Sequence, residues 1–380
     1  MSFFAARSLK LAAISAFEGI GLPDQLARAA IHVLVSKTRA GLPADGTKAT
    51  RMFALDMQKS PIATYTGAAN RQHYELPPEF FAMVLGPRRK YSCCLYDLGA
   101  TSLAEAELHA LQATLKNAEL ADGQHILDLG CGWGALSLFL AEHLPASSIL
   151  AVSNSHSQRA YVEAEALRRG YSNLQVVTAD VNIFQPDRAF DRIVSVEMFE
   201  HVANWPALLE RIRTWLSPGG SFFMHVFSHA RVPYRFDHAD PADWIAQHFF
   251  TGGLMPSHQL IREFGSIFEV VREWRWSGRN YELTANDWLA NFVENEQAIA
   301  RLFAVHYGEA ATVWMRRWRL FFLATAGLFG HGGGSEWGVS HYLLQPVAPK
   351  QLSRPSRRSA EPLQNIEGEQ RNRGDDDRPV

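Results

Sequence analysis

The sequence contains few cysteines and no excess of charge of either sign. Its 380 residues include three cysteines, at positions 93, 94 and 131. An odd number that includes an adjacent pair makes a poor disulfide framework, so we expect reduced thiols and a cytoplasmic protein. Lys and Arg number 37 against 39 Asp and Glu, which gives a formal net charge of −2. Sequence-independent binding to nucleic acid needs a basic surface, so nucleic acid is not an expected partner.

Long apolar runs are also missing. The N-terminal run LAAISAF (11–17) is at the short limit for the apolar core of a signal peptide, and no convincing cleavage site follows it. RLFFLATAGLFG (319–330) falls short of the roughly 18 apolar residues that a membrane span needs. We therefore expect no stable membrane insertion. The apolar fraction of 47% and the charged fraction of 20% are those of an ordinary globular protein, which excludes a fibrous chain.

The pattern along the chain divides it into three parts. Residues 1–105 repeat apolar side chains at three- and four-residue intervals, which predicts a helical region. Within it, ADGTKATRMFALDMQKSP (44–61) has the composition of a linker. Residues 106–347 alternate short β-rich runs with longer helical segments. The tail, 348–380, is rich in Ser, Pro, Arg, Glu and Asp, and we predict that it is disordered.

The alternation of strands and helices predicts the α/β class, with a parallel sheet covered by helices on both faces in a Rossmann-like arrangement. Two later β-like runs, FEVVREWRW (268–276) and WGVSHYLL (337–344), are placed to close this sheet. Between them lies a long aromatic helical region, about 283 to 330, which we expect to form a cap over the acceptor.

A glycine-rich segment follows the first strand of this part. LDLGCGWG (127–134) places Asp128, Gly130, Gly132 and Gly134 between a strand and a helix. Glycine lets the backbone turn sharply and approach a ligand closely. The pattern differs from the dinucleotide fingerprint G-x-G-x-x-G. Read as D-x-G-x-G-x-G, it resembles motif I of the class I S-adenosylmethionine (SAM) methyltransferases, in which an acidic residue nearby can meet the SAM ammonium. A chance glycine-rich turn is the alternative.

Polar residues follow the next two strands as this resemblance requires. Asn154 and Gln158 follow the second strand, where ribose hydroxyls would be bonded. Asp180 and Val181 follow the third strand, where the adenine would lie. Most enzymes of this class have an acidic residue at the second-strand position, so Asn154 departs from the general pattern. SAM is the predicted cofactor, and no metal is predicted.

Five further segments narrow the resemblance. Together they are similar to the cyclopropane-fatty-acyl-phospholipid synthase superfamily, and most similar to its coclaurine N-methyltransferase branch, which methylates benzylisoquinoline-type amines. The doubled cysteine, the asparagine loop and the FFTGG…MPS sequence carry the narrower likeness. The segments are NRQHYELPPEFFAMVLG (70–86), KYSCCLY (90–96), VSNSHSQ (152–158), VEMFEHVANW (196–205) and HFFTGGLMPS (248–257).

The resemblance also implies roles for individual residues. Tyr91 and Ser92 would touch the carboxylate end of SAM, and Gly130, Cys131 and Gly132 would form the cofactor loop. The catalytic centre would consist of Glu197, Glu200 and His201, and the substrate pocket would include Cys93, His225, Phe227 and Tyr281.

Some positions bear on the lipid enzymes of the superfamily. His225 and Tyr281 stand where those enzymes place a histidine and a tyrosine of their bicarbonate site. Phe227 replaces an aliphatic residue, which argues against a working bicarbonate pocket. Thr325 and Asn280 replace a cysteine and a histidine that are common among relatives.

The EMFEH segment (197–201) can also be interpreted without the family resemblance. It follows FDRIVSV (190–196), so it lies at the carboxyl end of a strand, where open α/β sheets bind ligands. On a helical turn Glu197, Glu200 and His201 would share one face. A carboxylate–histidine pair can accept the proton of an amine that is being methylated. The alternative is a solvated, charged helix start.

The sequence therefore predicts a SAM-dependent methyltransferase that acts on an amine nitrogen of a small, aromatic or alkaloid-like molecule. A lipid-modifying enzyme that acts on unsaturated acyl chains of phospholipids is the first alternative. The second is a SAM-binding homologue that has lost catalysis, supported only by Thr325 and Asn280. The oligomeric state stays open, with a homodimer among the alternatives.

Overall fold

The structure is a computed structural model that describes residues 18–64 and 76–348. The run LAAISAF, the beginning of the segment 70–86 and the tail beyond Ala348 lie outside the described residues.

A seven-stranded sheet forms the centre of the fold. Its strands are β1 (His125–Leu129), β2 (Ser148–Ser153), β3 (Leu174–Thr178), β4 (Phe190–Val196), β5 (Leu216–His229), β8 (Phe268–Ser277) and β9 (Trp337–Pro346). Their order is β3-β2-β1-β4-β5-β9-β8, and β1 to β5 pair in parallel. β9 lies antiparallel between β5 and β8. The predicted α/β class and the closing of the sheet by the two late strands are confirmed. A small separate pair joins β6 (Tyr234–Arg235) to β7 (Leu254–Met255).

Eleven α-helices lie wholly within the described ranges 18–64 and 76–348. They are α1 (Asp24–Gly41), α2 (Gly46–Met57), α3 (Pro78–Val84), α4 (Leu103–Asn117), α5 (Ala135–His143), α6 (His156–Arg169), α7 (Trp205–Trp215), α8 (Trp244–His248), α9 (Gly278–Glu294), α10 (Glu296–Tyr307) and α11 (Ala311–Phe329). The last three fill the aromatic region predicted between β8 and β9. No helix among these residues is long and apolar enough to cross a membrane.

Neighbouring residues of the central strands pack on opposite faces of the sheet, because successive strand side chains alternate. On one face, Val194 and Phe223 pack in a cluster with the apolar side chains of α4 and α5. On the other, Ile193 and Phe222 pack with those of α7. Helices therefore cover both faces, as the continuous apolar strands predict.

The prediction of a linker at residues 44–61 is wrong, because this segment contains α2. Asp45 caps the helix: its side chain accepts a hydrogen bond from the backbone N–H of Lys48. Gly46 is required for packing, since a Cβ there would lie 2.7 Å from the carbonyl oxygen of Arg231. The helix buries only a narrow face, which consists of Thr50, Ala54 and Met57. Because the rest of the helix is largely polar, the sequence pattern does not predict this face.

Candidate active site

Two adjoining cavities lie at the carboxyl ends of β1 to β4. The first is lined by the predicted residues Gly130, Gly132, Asn154, Gln158, Asp180, Val181, Glu197 and His201. The second is lined by the predicted residues Tyr91, Ser92, Asp128, Gly130, Cys131, Gly132, Gln158 and Glu197. The cavities share the glycine loop, Gln158 and Glu197. Ligands of open α/β sheets bind at this edge.

The three glycines of the loop after β1 have different reasons to be glycine. All have left-handed backbones, with φ of 89° at Gly130, 53° at Gly132 and 76° at Gly134. A Cβ on Gly130 would lie 2.6 Å from Met198 Cγ, and one on Gly134 would lie 2.6 Å from Val162 Cγ2. A Cβ on Gly132 would meet no protein atom within 4 Å. The first and third glycines therefore allow packing, while the middle one leaves space for a ligand.

Asp128 forms part of the wall of the second cavity. Its carboxylate accepts a 2.5 Å hydrogen bond from Ser137 Oγ and is almost fully buried. Burial raises the pKa of Asp128 to about 6, against the effect of the Ser137 hydroxyl. The hydrogen bond from Ser137 therefore fixes the Asp128 side chain in the lining of the second cavity, where its carboxylate can meet the ammonium of a ligand.

The side chains after β2 and β3 are held by local hydrogen bonds. Gln158 Oε1 accepts from Ser153 Oγ at 2.7 Å. Asp180 Oδ1 accepts from the backbone N–H of Asn182 at 2.8 Å and from its side-chain Nδ2 at 2.9 Å. Together with Asn154, these residues put polar groups on two neighbouring strand ends, and Val181 adds an apolar side chain beside Asp180.

Glu197 has an unusual backbone and a carboxylate with three donors. Its φ is 47°, a left-handed conformation that is uncommon for a non-glycine residue and occurs often at functional sites. Oε1 accepts from the Cys93 N–H at 2.9 Å and lies 3.2 Å from His225 Nε2; Oε2 accepts from Tyr281 Oη at 2.7 Å. Burial raises the pKa of Glu197, and nearby Lys90 and the donors from Cys93 and Tyr281 oppose that rise.

Glu200 and His201 lie in the next turn, a short 3₁₀ helix from Phe199 to His201. Glu200 is fully buried, lines neither cavity, and accepts from the Phe227 N–H at 2.6 Å. His201 lines the first cavity. The prediction that these two and Glu197 share one face of a helical turn is wrong, because the left-handed Glu197 backbone precedes the turn.

Burial shifts the pKa values of Glu200 and His201 in opposite directions. Burial and the neighbouring Glu197 raise the pKa of Glu200 well above its ordinary value. Burial lowers the pKa of His201 to about 4. His201 is therefore neutral at neutral pH and can accept a proton, whereas burial favours the protonated form of Glu200.

The four residues predicted for the substrate pocket lie behind the carboxylates and line neither cavity. Cys93, His225 and Tyr281 contact Glu197, and Phe227 contacts Glu200. Cys93 and His225 are fully buried. The observed contacts are those of residues that position the carboxylates.

Some cavity residues were not predicted from the sequence. Thr251 and Met198 line the first cavity, and Lys90 lines the second. Ala63 also lines the first, and Asn182 holds it by two hydrogen bonds: the Ala63 N–H donates to Oδ1 at 3.0 Å, and Nδ2 donates to the Ala63 carbonyl at 3.2 Å. Asn182 therefore ties the segment before α3 to Asp180. The bonded positions are 119 apart in sequence, so no local pattern signals them.

We expect Asn182→Ala to weaken SAM binding about tenfold, because it removes the bonds that hold both Ala63 and Asp180, and a hydrogen bond is worth about 1 kcal/mol net. Calorimetry with S-adenosylhomocysteine measures this. Asn173→Ala is the matched control, since Asn173 Nδ2 also bridges backbone carbonyls, of Ala141 and Leu144, away from both cavities. Equal affinity changes in the two variants would contradict the assignment.

The glycine loop with open space at Gly132, the polar strand ends and the buried acid–histidine turn define a class I SAM-dependent methyltransferase, with SAM as its cofactor. Residues 63–333 match the family described as "Mycolic acid cyclopropane synthetase", and the chain belongs to this family.

Individual relatives refine the likeness. The chain is 34% identical over 294 residues to (S)-coclaurine N-methyltransferase of Thalictrum flavum subsp. glaucum, which covers 76% of this chain and 81% of the relative. It is similar to the crystal structure of coclaurine N-methyltransferase bound to N-methylheliamine and SAH, with a TM-score of 0.84 and 30% identity over 88% of this chain and 98% of that one. Similarity to cyclopropane-fatty-acyl-phospholipid synthase of Escherichia coli (strain K12) is lower, at 27% over 268 residues, 70% of this chain and 65% of the relative.

Proposed function

We propose that the protein transfers the methyl group of SAM to an amine nitrogen of a small aromatic acceptor of the alkaloid type. The observation that carries this proposal is the Glu197 carboxylate, which is bonded to His225 and Tyr281. The resemblance implies that lipid-modifying relatives bind bicarbonate with residues at these two positions. Here Tyr281 Oη donates to the Glu197 carboxylate at 2.7 Å and His225 Nε2 lies 3.2 Å from it, so bicarbonate would have to compete with a carboxylate of the chain for both groups.

Methylation of an amine requires a neutral nitrogen. A free alkylamine with a pKa near 10.4 is neutral in about one molecule in 2,500 at pH 7, a gap of about 4.6 kcal/mol. Burial in the site disfavours the ammonium form of an acceptor, as it disfavours the charged form of His201. Neutral His201 can accept the proton that nitrogen loses, and Glu197 supplies negative charge where positive charge develops. Bound SAM supplies the electrophilic methyl group.

The surroundings of His201 suit a flat, apolar acceptor. The His201 ring centroid lies 4.4 Å from that of Phe250, which in turn lies 5.5 Å from Phe227. Met198 and Val202 line the same cavity. The same cavity also holds the polar groups of Asn154 and Asp180, and such a combination of apolar surface with a few polar groups is typical of small-molecule sites. The names of the relatives, (S)-coclaurine and pavine N-methyltransferase, support an amine of this kind. The three free, buried cysteines support a reducing, cytoplasmic setting.

The role of the Glu197 carboxylate can be tested by chemical rescue. Glu197→Ala should lose at least about 10² in kcat, because it removes a preorganised charge. Formate or bicarbonate should restore part of that rate, since either fits the space between the same donors. Wild type should not respond to added bicarbonate. The measurement is methylation of a panel of cyclic amines, including tetrahydroisoquinolines, with labelled SAM.

Glu197→Gln is the control for this experiment, because its amide fills the space and should leave an inactive protein that formate cannot rescue. The same assay with vesicles of unsaturated phospholipid tests the lipid alternative. Formation of cyclopropane fatty acids that depends on bicarbonate would overturn the proposal.

A further inference from the structure

Lys90 is a buried lysine whose ammonium group makes no direct contact with a carboxylate among the described residues. Its side chain is only 3% exposed, and it lines the second cavity. Nζ donates to Ser92 Oγ and to the Cys93 carbonyl oxygen, both at 2.6 Å. A lysine ammonium has three N–H donors, so one remains. Among the residues that the structure describes, no acidic side chain forms an ion pair with Lys90.

The fold holds this cation in place by its backbone. Glu107 of α4 is fully buried, and its carboxylate accepts from the backbone N–H groups of Lys90 at 3.1 Å and Arg88 at 2.9 Å. Gly86 lies so close that a Cβ there would be 2.5 Å from the Glu107 carboxyl carbon. Burying an unpaired charge is costly, and buried charges are normally paired. The Lys90 ammonium acts on the Glu197 and Glu107 carboxylates only through space, because its Nζ hydrogen-bonds neither of them. Its third N–H donor can therefore take an anionic ligand from the cavity that Lys90 lines.

The charges around the second cavity match an α-amino acid in its zwitterionic form. Lys90 and Arg89 bring positive charge, while Asp128 and Glu197 bring carboxyl groups. Arg89 is at the same turn, with a left-handed φ of 50° and its guanidinium 3.9 Å from the centre of the Tyr161 ring. The amino-acid end of SAM carries one carboxylate and one ammonium, and the open space at Gly132 adjoins both sets of groups.

We propose that Lys90 is the counter-ion of the cofactor's carboxylate, with Ser92 Oγ and the Cys93 carbonyl oxygen aiming its ammonium. The same segment links the cofactor to the acidic centre, because the Cys93 N–H donates to Glu197. This inference rests on SAM as the cofactor and is independent of the amine proposed as acceptor.

The test compares two ligands that differ only in the carboxylate: S-adenosylhomocysteine and its decarboxylated analogue, S-adenosyl-3-thiopropylamine. Calorimetry should show that Lys90→Met weakens binding of S-adenosylhomocysteine about 10- to 100-fold, the usual range for losing a charge-assisted hydrogen bond. Affinity for the analogue should stay as in wild type. Lys90→Arg, which keeps the charge, should fall between. Lys59→Met, at an exposed lysine with a side chain 77% exposed, should change neither affinity.

Melting curves separate a ligand-binding role from a structural one. Lys90→Met removes a buried charge together with its bonds to Ser92 and Cys93, so the Tm of the ligand-free variant measures the structural part. Saturating S-adenosylhomocysteine should raise the Tm of this variant less than it raises that of wild type. Equal losses of affinity for the two ligands, or unchanged affinity for S-adenosylhomocysteine, would each overturn the proposal, and if Lys90→Met does not fold, Lys90→Arg decides by the same comparison. No acceptor is present, so failure here leaves the amine proposal untouched.

Discussion

Gly132→Val should abolish binding of SAM and S-adenosylhomocysteine in a protein that still folds. A Cβ at this position would have no protein atom within 4 Å and would lie in the wall of both cavities, so we expect the branched side chain to extend into the space of the ligand. The variant must hold a branched residue at a φ of 53°, which we expect to destabilise the fold by roughly 1–2 kcal/mol. Calorimetry with S-adenosylhomocysteine and urea unfolding measure the two effects separately.

Gly170→Val provides a matched control. Gly170 ends α6 with a φ of 73°, and a Cβ there would also meet no atom within 4 Å. This variant should show a similar loss of stability and bind S-adenosylhomocysteine as wild type does. If Gly132→Val retains wild-type affinity, the cofactor does not lie over the glycine loop.

His201→Ala should lower kcat by about 10²- to 10⁴-fold at neutral pH, with a much smaller effect on SAM binding. General base catalysis typically contributes this range, about 3 to 5 kcal/mol. Burial lowers the pKa of His201 to about 4, so the ring is neutral above that pH and protonated below it. The contribution of His201 to the wild-type rate should therefore persist through neutral pH and disappear only as the pH falls toward 4. A pH–rate profile with one accepted amine measures this.

The same profile distinguishes proton transfer from simple orientation. If His201 accepts the proton, raising the pH toward the pKa of the acceptor should restore part of the rate of His201→Ala, because solvent then supplies neutral amine. Adding Glu200→Ala should destabilise the fold rather than change this pH dependence, because it leaves the buried Phe227 N–H without its acceptor. If His201 only orients the acceptor, the loss should fall mainly on KM and persist at high pH. His156→Ala, at an exposed histidine, should behave as wild type.

The cofactor side of the site could be predicted because its signals are local. Each strand of the parallel sheet is an apolar run, and Gly132, Asn154 and Asp180 follow the ends of three such runs. Parallel strands bring their carboxyl ends to one edge, so residues distant in sequence converge without any knowledge of side-chain contacts.

The acidic centre could be named from the sequence, but its arrangement could not. The donors to Glu197 come from Cys93, His225 and Tyr281, which are 104, 28 and 84 positions away. The left-handed Glu197 backbone is stable only because this surrounding structure holds it. The EMFEH pattern alone predicts a helical turn that begins at Glu197. Long-range contacts hold Glu197 in a left-handed conformation instead.

Lys90 illustrates a different limit. From sequence alone, a lysine next to an arginine is expected on the solvated surface. Lys90 is buried instead, and its backbone is held by Glu107, which lies 17 positions away on α4. The same applies to α2, where the narrow buried face is defined by what packs against it: Thr50 bonds Ser257, which lies 207 positions further along. Sequence patterns report amphipathicity well and individual long-range partners poorly.

The position of β9 has a consequence for how the chain comes to be folded. During synthesis, β1 to β5 and β8 all leave the ribosome before Trp337–Pro346 does, yet this last strand is the one that joins β5 to β8. Until it arrives, β5 and β8 each present an unpaired edge, a template for wrong pairing. His225, which faces His341 across that seam, also lacks its neighbour. The nascent chain therefore completes the sheet beside His225 only after Trp337–Pro346 has been made, and the interval before that is the one in which a chaperone would matter most.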